Sequence, residues 1–73
     1  MSYAETQRLR LIDFLVDHYG TVRRSAVMDY FGVSQPQASA DLKRYMELAP
    51  ANIRYDSSAK AYVKTAAFAR VWN

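Results

Sequence analysis

A well-marked helix start at Ser34 limits how this chain can fold. Ser34 is followed three residues later by Gln37, a capping-box pattern in which each side chain satisfies a backbone N–H at a helix start. Pro36 falls in the first turn, where its missing N–H costs nothing. Because Pro50 disfavours helical backbone at the residue before it, the pattern predicts a helix over about 34–48.

The two faces of this predicted helix differ in chemistry. Ala38, Leu42 and Tyr45 recur at spacings of four and three, so they share a face that can be buried. The opposite face carries small, amide, hydroxyl and basic groups of the kind that fit a DNA major groove: Gln37, Ser39, Ala40, Lys43 and Arg44. The helix is therefore a candidate recognition helix.

Two helices are predicted before it. The first runs from about Ala4 to Tyr19 and ends at Gly20, and its main apolar stripe consists of Leu9, Ile12, Val16 and Tyr19. The second, from Arg23 to Tyr30, is short and ends at Gly32. Since only residues 31–33 separate it from Ser34, the spacing is that of a helix-turn-helix.

A β-hairpin is predicted after the three helices. Ile53–Tyr55 and Tyr62–Val63 are rich in β-branched and aromatic residues and flank the polar, turn-forming segment 56–61. A hairpin alone is marginally stable, so it must pack on the helices, and we expect contacts from Ile53, Tyr55 and Val63. Three helices followed by a hairpin is the winged helix-turn-helix arrangement, mainly α with a small β part.

Two smaller elements complete the prediction. Val22 is expected to add one β-bridge to the hairpin sheet. Thr65 is expected to cap a short C-terminal helix that carries Phe68, Val71 and Trp72, packed on the first helix or forming a dimer contact. With no repeats or linkers, residues 1–73 are predicted to form one winged helix-turn-helix domain.

Composition argues against several classes of protein. A chain of 73 residues has little room for a deep enzyme pocket, and it contains no cysteine and a single histidine, His18. Asp17 and His18 are adjacent on a helix and do not face each other as a catalytic pair. We therefore expect no enzyme, no cofactor and no metal. No apolar run reaches membrane-spanning length and no secretory signal is present, so we expect no membrane association and a cytoplasmic, nucleoid-associated protein.

The positive charge is concentrated after the first helix. The whole chain has a net charge of +3, but residues 1–22 carry −1 and residues 23–73 carry +4. A basic surface favours an anionic partner, although a charge of this size does not identify one.

Short motifs in the same region resemble known regulators. Phe31-Gly32-Val33-Ser34 and Asp41-Leu42 resemble the spine of DeoR-type regulators. A longer match resembles the N-terminal domain of WYL-domain transcription factors, and its three blocks keep their order and spacing. These blocks are Phe31-Gly32-Val33-Ser34-Gln35-Pro36-Gln37-Ala38-Ser39-Ala40-Asp41-Leu42, Glu47-Leu48-Ala49-Pro50 and Tyr55-Asp56-Ser57-Ser58-Ala59-Lys60-Ala61-Tyr62.

The resemblance implies a function. In that family the winged domain binds DNA, a WYL domain senses a ligand, and the protein dimerises on an inverted repeat; some members are repressors found beside anti-phage defence systems. This chain is thus expected to be the sequence-specific, double-stranded DNA-binding domain of a bacterial repressor. The family would continue beyond Asn73 into the WYL domain, so the sequence is either a shortened form or a free-standing relative.

Candidate DNA contacts fall into three groups. Gln35, Gln37 and Ser39, following the cap Ser34, could read base edges, while Lys43 and Arg44 hold phosphates. Arg23 and Arg24 oppose the dipole of their own helix, which a phosphate partner would explain. Wing residues could meet the minor groove or the backbone: Arg54, Ser57, Ser58 and Lys60.

Other interpretations stay open. The polar helix face could simply contact water, and a winged helix can also serve as a protein–protein interaction module without sequence-specific DNA binding. Tyr55 and Tyr62 could stack on bases, but aromatic residues in short strands more often pack on the protein.

Overall fold

The computed structural model describes residues 2–72 as three helices and a three-stranded antiparallel sheet. In chain order the elements are α1 (Tyr3–Tyr19), β1 (Thr21–Val22), α2 (Arg24–Phe31), α3 (Gln35–Leu48), β2 (Ile53–Asp56) and β3 (Ala61–Lys64). The strand order in the sheet is β1-β3-β2. This arrangement confirms the predicted winged helix-turn-helix fold. No helix within residues 2–72 has the length and apolarity needed to cross a membrane.

Local signals place the helix ends within about one residue of their predicted positions. Gly20 and Gly32 adopt left-handed backbone, with φ of 78° and 66°, and close α1 and α2. The Ser34 hydroxyl accepts a hydrogen bond from the Gln37 backbone N–H at 3.3 Å and caps α3. The reciprocal half of the capping box, in which Gln37 Oε1 would accept from the Ser34 N–H, is wrong: the Gln37 side chain lies against Asp41, to which its Nε2 donates at 3.0 Å.

The core lies between the three helices and the sheet. It is built from the predicted apolar faces of α1 and α3 together with single residues from the other elements, namely Leu9, Ile12, Val16, Val22, Val27, Ala38, Leu42, Tyr45 and Ile53. One member of the predicted α1 stripe is wrong, because Tyr19 lies at the helix end and is 66% exposed.

The sheet ties the wing to the helices through β1. Val22 pairs with Tyr62 of β3, which confirms the expected bridge, and the Lys64 N–H donates to the Gly20 carbonyl at 2.9 Å. Ile53 is buried as predicted. Tyr55, also expected to pack on the helices, is half-exposed, and its ring packs edge-to-face on Tyr62 across the strands, with centroids 5.0 Å apart.

The predicted C-terminal helix is wrong. After β3 the chain makes a turn at Thr65, whose carbonyl accepts from the Phe68 N–H, and then continues without helical structure to residue 72. The N–H groups that a helix would need for itself are donated elsewhere. Ala69 donates to the Asn52 side chain, and Val71 and Trp72 donate to Asp13. Tertiary hydrogen bonds therefore replace helical ones in this segment.

Candidate nucleic-acid interface

Two arginines join the parts of the molecule that were predicted to meet DNA. Arg24 at the start of α2 donates from Nη1 to the Ser39 hydroxyl of α3 at 3.2 Å. Arg23, the N-cap of α2, donates from Nη2 to the Ala59 carbonyl in the wing turn at 3.1 Å. Because a guanidinium has five N–H donors, each arginine keeps several donors for an anion. The helix start, α3 and the wing turn thus form one surface.

A cleft lies between α3 and the wing on this surface. It has a volume of about 270 Å³, and its walls are Arg24, Ser39, Leu42, Tyr55, Lys60 and Tyr62. Two of these residues are cationic and three carry hydroxyl groups. Such a lining suits an anionic group, since charge-assisted hydrogen bonds to anions are the stronger ones.

The wing turn has a defined backbone that presents its polar side chains outward. The Asp56 carboxylate accepts from the N–H groups of Ser58 and Ala59, at 2.9 and 3.2 Å. Lys60 completes the turn in left-handed backbone, with φ of 52°. Ser57, Ser58 and Lys60 are exposed, as is Arg54 on β2.

The exposed face of α3 carries the remaining predicted residues. Gln35, Lys43 and Arg44 are exposed, whereas Gln37 and Ser39 are half-buried at the flanks. The Arg44 guanidinium lies 3.7 Å from the exposed Glu47 carboxylate, one turn further along. An exposed ion pair of this kind contributes little to stability, so Arg44 stays available to a phosphate.

Most ion pairs of the protein do not involve the cations of this surface. Within residues 2–72, Arg44 is the one candidate DNA-binding cation that lies within 4.0 Å of a carboxylate. The buried carboxylates Asp13 and Asp41 are paired with Arg70 and Arg8, which lie outside the predicted set. Positive charge therefore remains available at the start of α2, on α3 and on the wing.

Two buried carboxylates that sequence reasoning missed hold α3 in place. Asp41 accepts from Arg8 Nε of α1 at 2.7 Å and from Gln37 Nε2 at 3.0 Å. The contact between Gln37 and Asp41 could have been predicted from the sequence, because Gln and Asp four residues apart on a helix are neighbours. The contact with Arg8 spans 33 positions and no local pattern reveals it.

The second carboxylate, Asp13, organises a polar cluster at the C-terminal half of α3. The Tyr45 hydroxyl donates to Asp13 at 2.6 Å and accepts from Asn52 Nδ2 at 3.0 Å. Burial, with the hydrogen bond to Asp13 second, raises the pKa of Tyr45 well above its ordinary value. Hydrogen bonds to Asp13 and Asp17 likewise raise the pKa of Arg70. Tyr45 therefore belongs to the hydrophobic core, and its hydroxyl also joins Asp13 to Asn52.

Residues that could bind a metal are not grouped in the part of the chain that the structure describes. No three His, Cys, Asp or Glu side chains of residues 2–72 are grouped so that they could hold a metal ion. His18 is exposed and stacks on Phe14, with ring centroids 5.4 Å apart, while Asp17 pairs with Arg70 and Lys64.

Comparison with known proteins gives consistent matches. Residues 4–72 match the model of the BrxR transcriptional regulator winged helix-turn-helix domain. The chain is 41% identical over 70 residues to the DNA-binding transcriptional repressor CapW of Escherichia coli strain KTE188, and 39% identical over 70 residues to CapW of Pseudomonas aeruginosa. Each match covers 96% of this chain and 23% of the relative, so the chain spans about a quarter of the length of these relatives.

Proposed function

Because the chain belongs to the BrxR family of transcriptional regulator winged helix-turn-helix domains, we propose that it binds double-stranded DNA as the sequence-specific domain of a bacterial repressor. The predicted resemblance to WYL-type regulators is confirmed by the family match and by the CapW relatives. The CapW relatives are named as DNA-binding repressors, and the aligned region of 70 residues includes α3 and the wing.

The observation that carries this proposal is the continuous basic surface formed by the start of α2, α3 and the wing turn. In the proposed complex the N-terminal half of α3 enters the major groove, as recognition helices do. Gln35, Gln37 and Ser39 read base edges there, while Lys43 and Arg44 hold flanking phosphates.

The cleft between α3 and the wing supplies a further backbone contact. Arg24 and Lys60 line the cleft and can hold a phosphate between them, with Arg23 next to it at the wing turn. The side chains of Arg54, Ser57 and Ser58 then contact the sugar-phosphate backbone or the minor groove beside the wing. The cap residue Ser34 helps to fix the end of α3 that enters the groove.

Finer features of the proposal come from the family resemblance. We propose that residues 1–73 form one DNA-binding domain, that two copies bind an inverted repeat, and that the protein acts on the bacterial chromosome in the cytoplasm. Regulation of phage-defence genes and the absence of enzymatic activity belong to the same proposal.

A binding experiment tests the proposal. A duplex is first selected from a random library, and the protein is then titrated by fluorescence anisotropy onto this duplex and a scrambled one at two salt concentrations. We expect preference for the selected duplex and a steep loss of affinity with salt, about 0.9 log units per phosphate contact per log unit of salt. If neither duplex binds at low salt, the proposal is wrong and the protein-interaction alternative is favoured.

A matched variant pair locates the contact surface. Arg24→Ala removes a cation from the cleft, whereas Arg10→Ala removes an exposed cation of α1 that lines a different groove with Phe14 and Tyr30. We expect the first variant to weaken binding and to lower the salt slope, and the second to change neither.

A further inference from the structure

We infer that Asp41 and Arg8 are positioning residues that fix the Gln37 side-chain amide so that it selects adenine. The inference rests on the proposed DNA binding and goes further, because it assigns base specificity to residues that do not touch DNA. Arg8 belongs to α1, which is outside every group of candidate contacts.

The three side chains form a chain of hydrogen bonds across the α1–α3 contact. Arg8 Nε donates to Asp41 Oδ2 at 2.7 Å, and Gln37 Nε2 donates to Asp41 Oδ1 at 3.0 Å. The Asp41 side chain is 1% exposed, so water has little access to compete for it. Both carboxylate oxygens are therefore occupied, one by each neighbour.

The chemistry of the carboxylate determines which way the Gln37 amide points. An ionised carboxylate only accepts hydrogen bonds, so it must face the amide nitrogen of Gln37 and not the amide oxygen. This leaves Oε1 and one N–H of Gln37 for an external partner. An adenine edge in the major groove offers the matching pair, an N6–H donor and the N7 acceptor.

Arg8 contributes by holding the carboxylate in its orientation. Its 2.7 Å charge-assisted bond engages Oδ2 and leaves Oδ1 for Gln37. A glutamine fixed in this way has lost part of its rotamer freedom before DNA binds, which reduces the entropy cost of forming the base contact. The half-buried position of Gln37 at the flank of α3 fits this arrangement.

The decisive variant is Asp41→Asn, which keeps the shape of the side chain and changes its hydrogen bonding. The donor Arg8 requires an oxygen, so the introduced amide must turn its nitrogen toward Gln37. The Gln37 amide then has to rotate, and it would present two N–H donors to the groove. Guanine offers two acceptors there, O6 and N7, so the variant is expected to prefer guanine where the wild type prefers adenine.

The experiment compares base preferences from random duplex libraries. Wild type, Asp41→Asn, Gln37→Ala and Arg10→Ala are each used for selection, and the selected duplexes are sequenced. Gln37→Ala identifies the base position that Gln37 reads, because preference is lost there, and Arg10→Ala should reproduce the wild-type profile. At the Gln37 position we expect Asp41→Asn to reverse an adenine preference of about fivefold or more.

A second variant separates positioning from stability. In Arg8→Met/Asp41→Leu the buried ion pair is replaced by apolar side chains, a change that often leaves a fold neutral or more stable. Gln37 stays in place but loses its anchor, so we expect the adenine preference at its position to fall toward that of Gln37→Ala. Thermal melting shows which variants are folded.

The outcomes distinguish the inference from the function on which it rests. If wild type binds neither random nor selected duplex, both are wrong. If wild type selects adenine at the Gln37 position and a folded Asp41→Asn or Arg8→Met/Asp41→Leu variant selects it equally strongly, the inference is wrong and the DNA-binding proposal stands. Reversal in the first variant together with loss in the second supports the inference.

Discussion

Several polar side chains proposed to contact DNA already have partners within the protein. Arg24 binds Ser39, Arg23 binds the wing turn, and Gln37 binds Asp41. Each keeps unused donors or acceptors, so these bonds orient the side chains without consuming them. Preorganised contacts lose less conformational freedom on binding than mobile ones.

Substitutions on α3 are expected to separate base reading from phosphate binding. Gln37→Ala should relax sequence preference at one base position, whereas Lys43→Ala should weaken binding to all duplexes to a similar extent and lower the salt slope by about 0.9. Parallel titrations of both variants on selected and scrambled duplexes measure this. The reverse pattern would mean that α3 is rotated about its axis relative to our proposal.

The buried Tyr45 hydroxyl is expected to make the fold sensitive to alkaline pH. Its pKa is higher in the folded protein than in the unfolded chain, so the folded state holds this proton more tightly. The stabilisation is complete below the unfolded value of about pH 10 and is lost as pH rises above it.

Urea unfolding of wild type and Tyr45→Phe across this pH range measures the effect. The variant should lose about 1–3 kcal/mol at neutral pH, because Asp13 and Asn52 each lose a hydrogen-bond partner. It should also lose less further stability than wild type at alkaline pH. If stability fell equally steeply at alkaline pH in both proteins, groups other than Tyr45 would be responsible for the loss.

For the helices, the sequence predicts the start and end points that depend on neighbouring residues. The Ser34 cap, Pro36 and the residue before Pro50 define α3, and left-handed Gly20 and Gly32 end α1 and α2. The failures have a common cause. The absent C-terminal helix, the role of Asp13 and the contact of Asp41 with Arg8 all depend on partners from other parts of the chain. In this fold those long-range hydrogen bonds override local preference.

The buried face of α3 can be tested with two equivalent truncations. Leu42→Ala should reduce the free energy of unfolding by about 2–5 kcal/mol, because Leu42 is buried in the core. Leu48→Ala removes the same atoms from an exposed position on the same helix and should cost much less. Chemical denaturation compares them, and equal losses would show that the face is assigned wrongly.

Substitutions of Lys60 in the wing turn separate the effect of backbone strain on stability from the effect of charge on DNA binding. Lys60 adopts left-handed backbone, which costs a residue with a side chain roughly 1–2 kcal/mol. Lys60→Gly should therefore leave stability unchanged or raise it by up to about 1 kcal/mol, while weakening DNA binding through the lost charge. Lys60→Asn, which tolerates the same backbone, should weaken DNA binding equally. A clear loss of stability in Lys60→Gly would contradict the strain argument.

Across the whole molecule, charge is divided between structure and proposed function. The carboxylates of Asp13, Asp17 and Asp41 are paired with cations, and these pairs join α1 to α3, to β3 and to the C-terminal segment. The sequence showed where the positive excess lies along the chain. It did not show which cations are consumed by internal pairs, because that depends on contacts between distant residues.

Backbone amide chemical shifts, measured during titration with a selected duplex, report the location of the DNA-binding surface residue by residue. We predict large shifts for residues 34–44 and 57–60 and for the start of α2, with little change around the exposed Phe14 and Tyr30. Shifts concentrated around Phe14 and Tyr30, with residues 34–44 unaffected, would contradict the account.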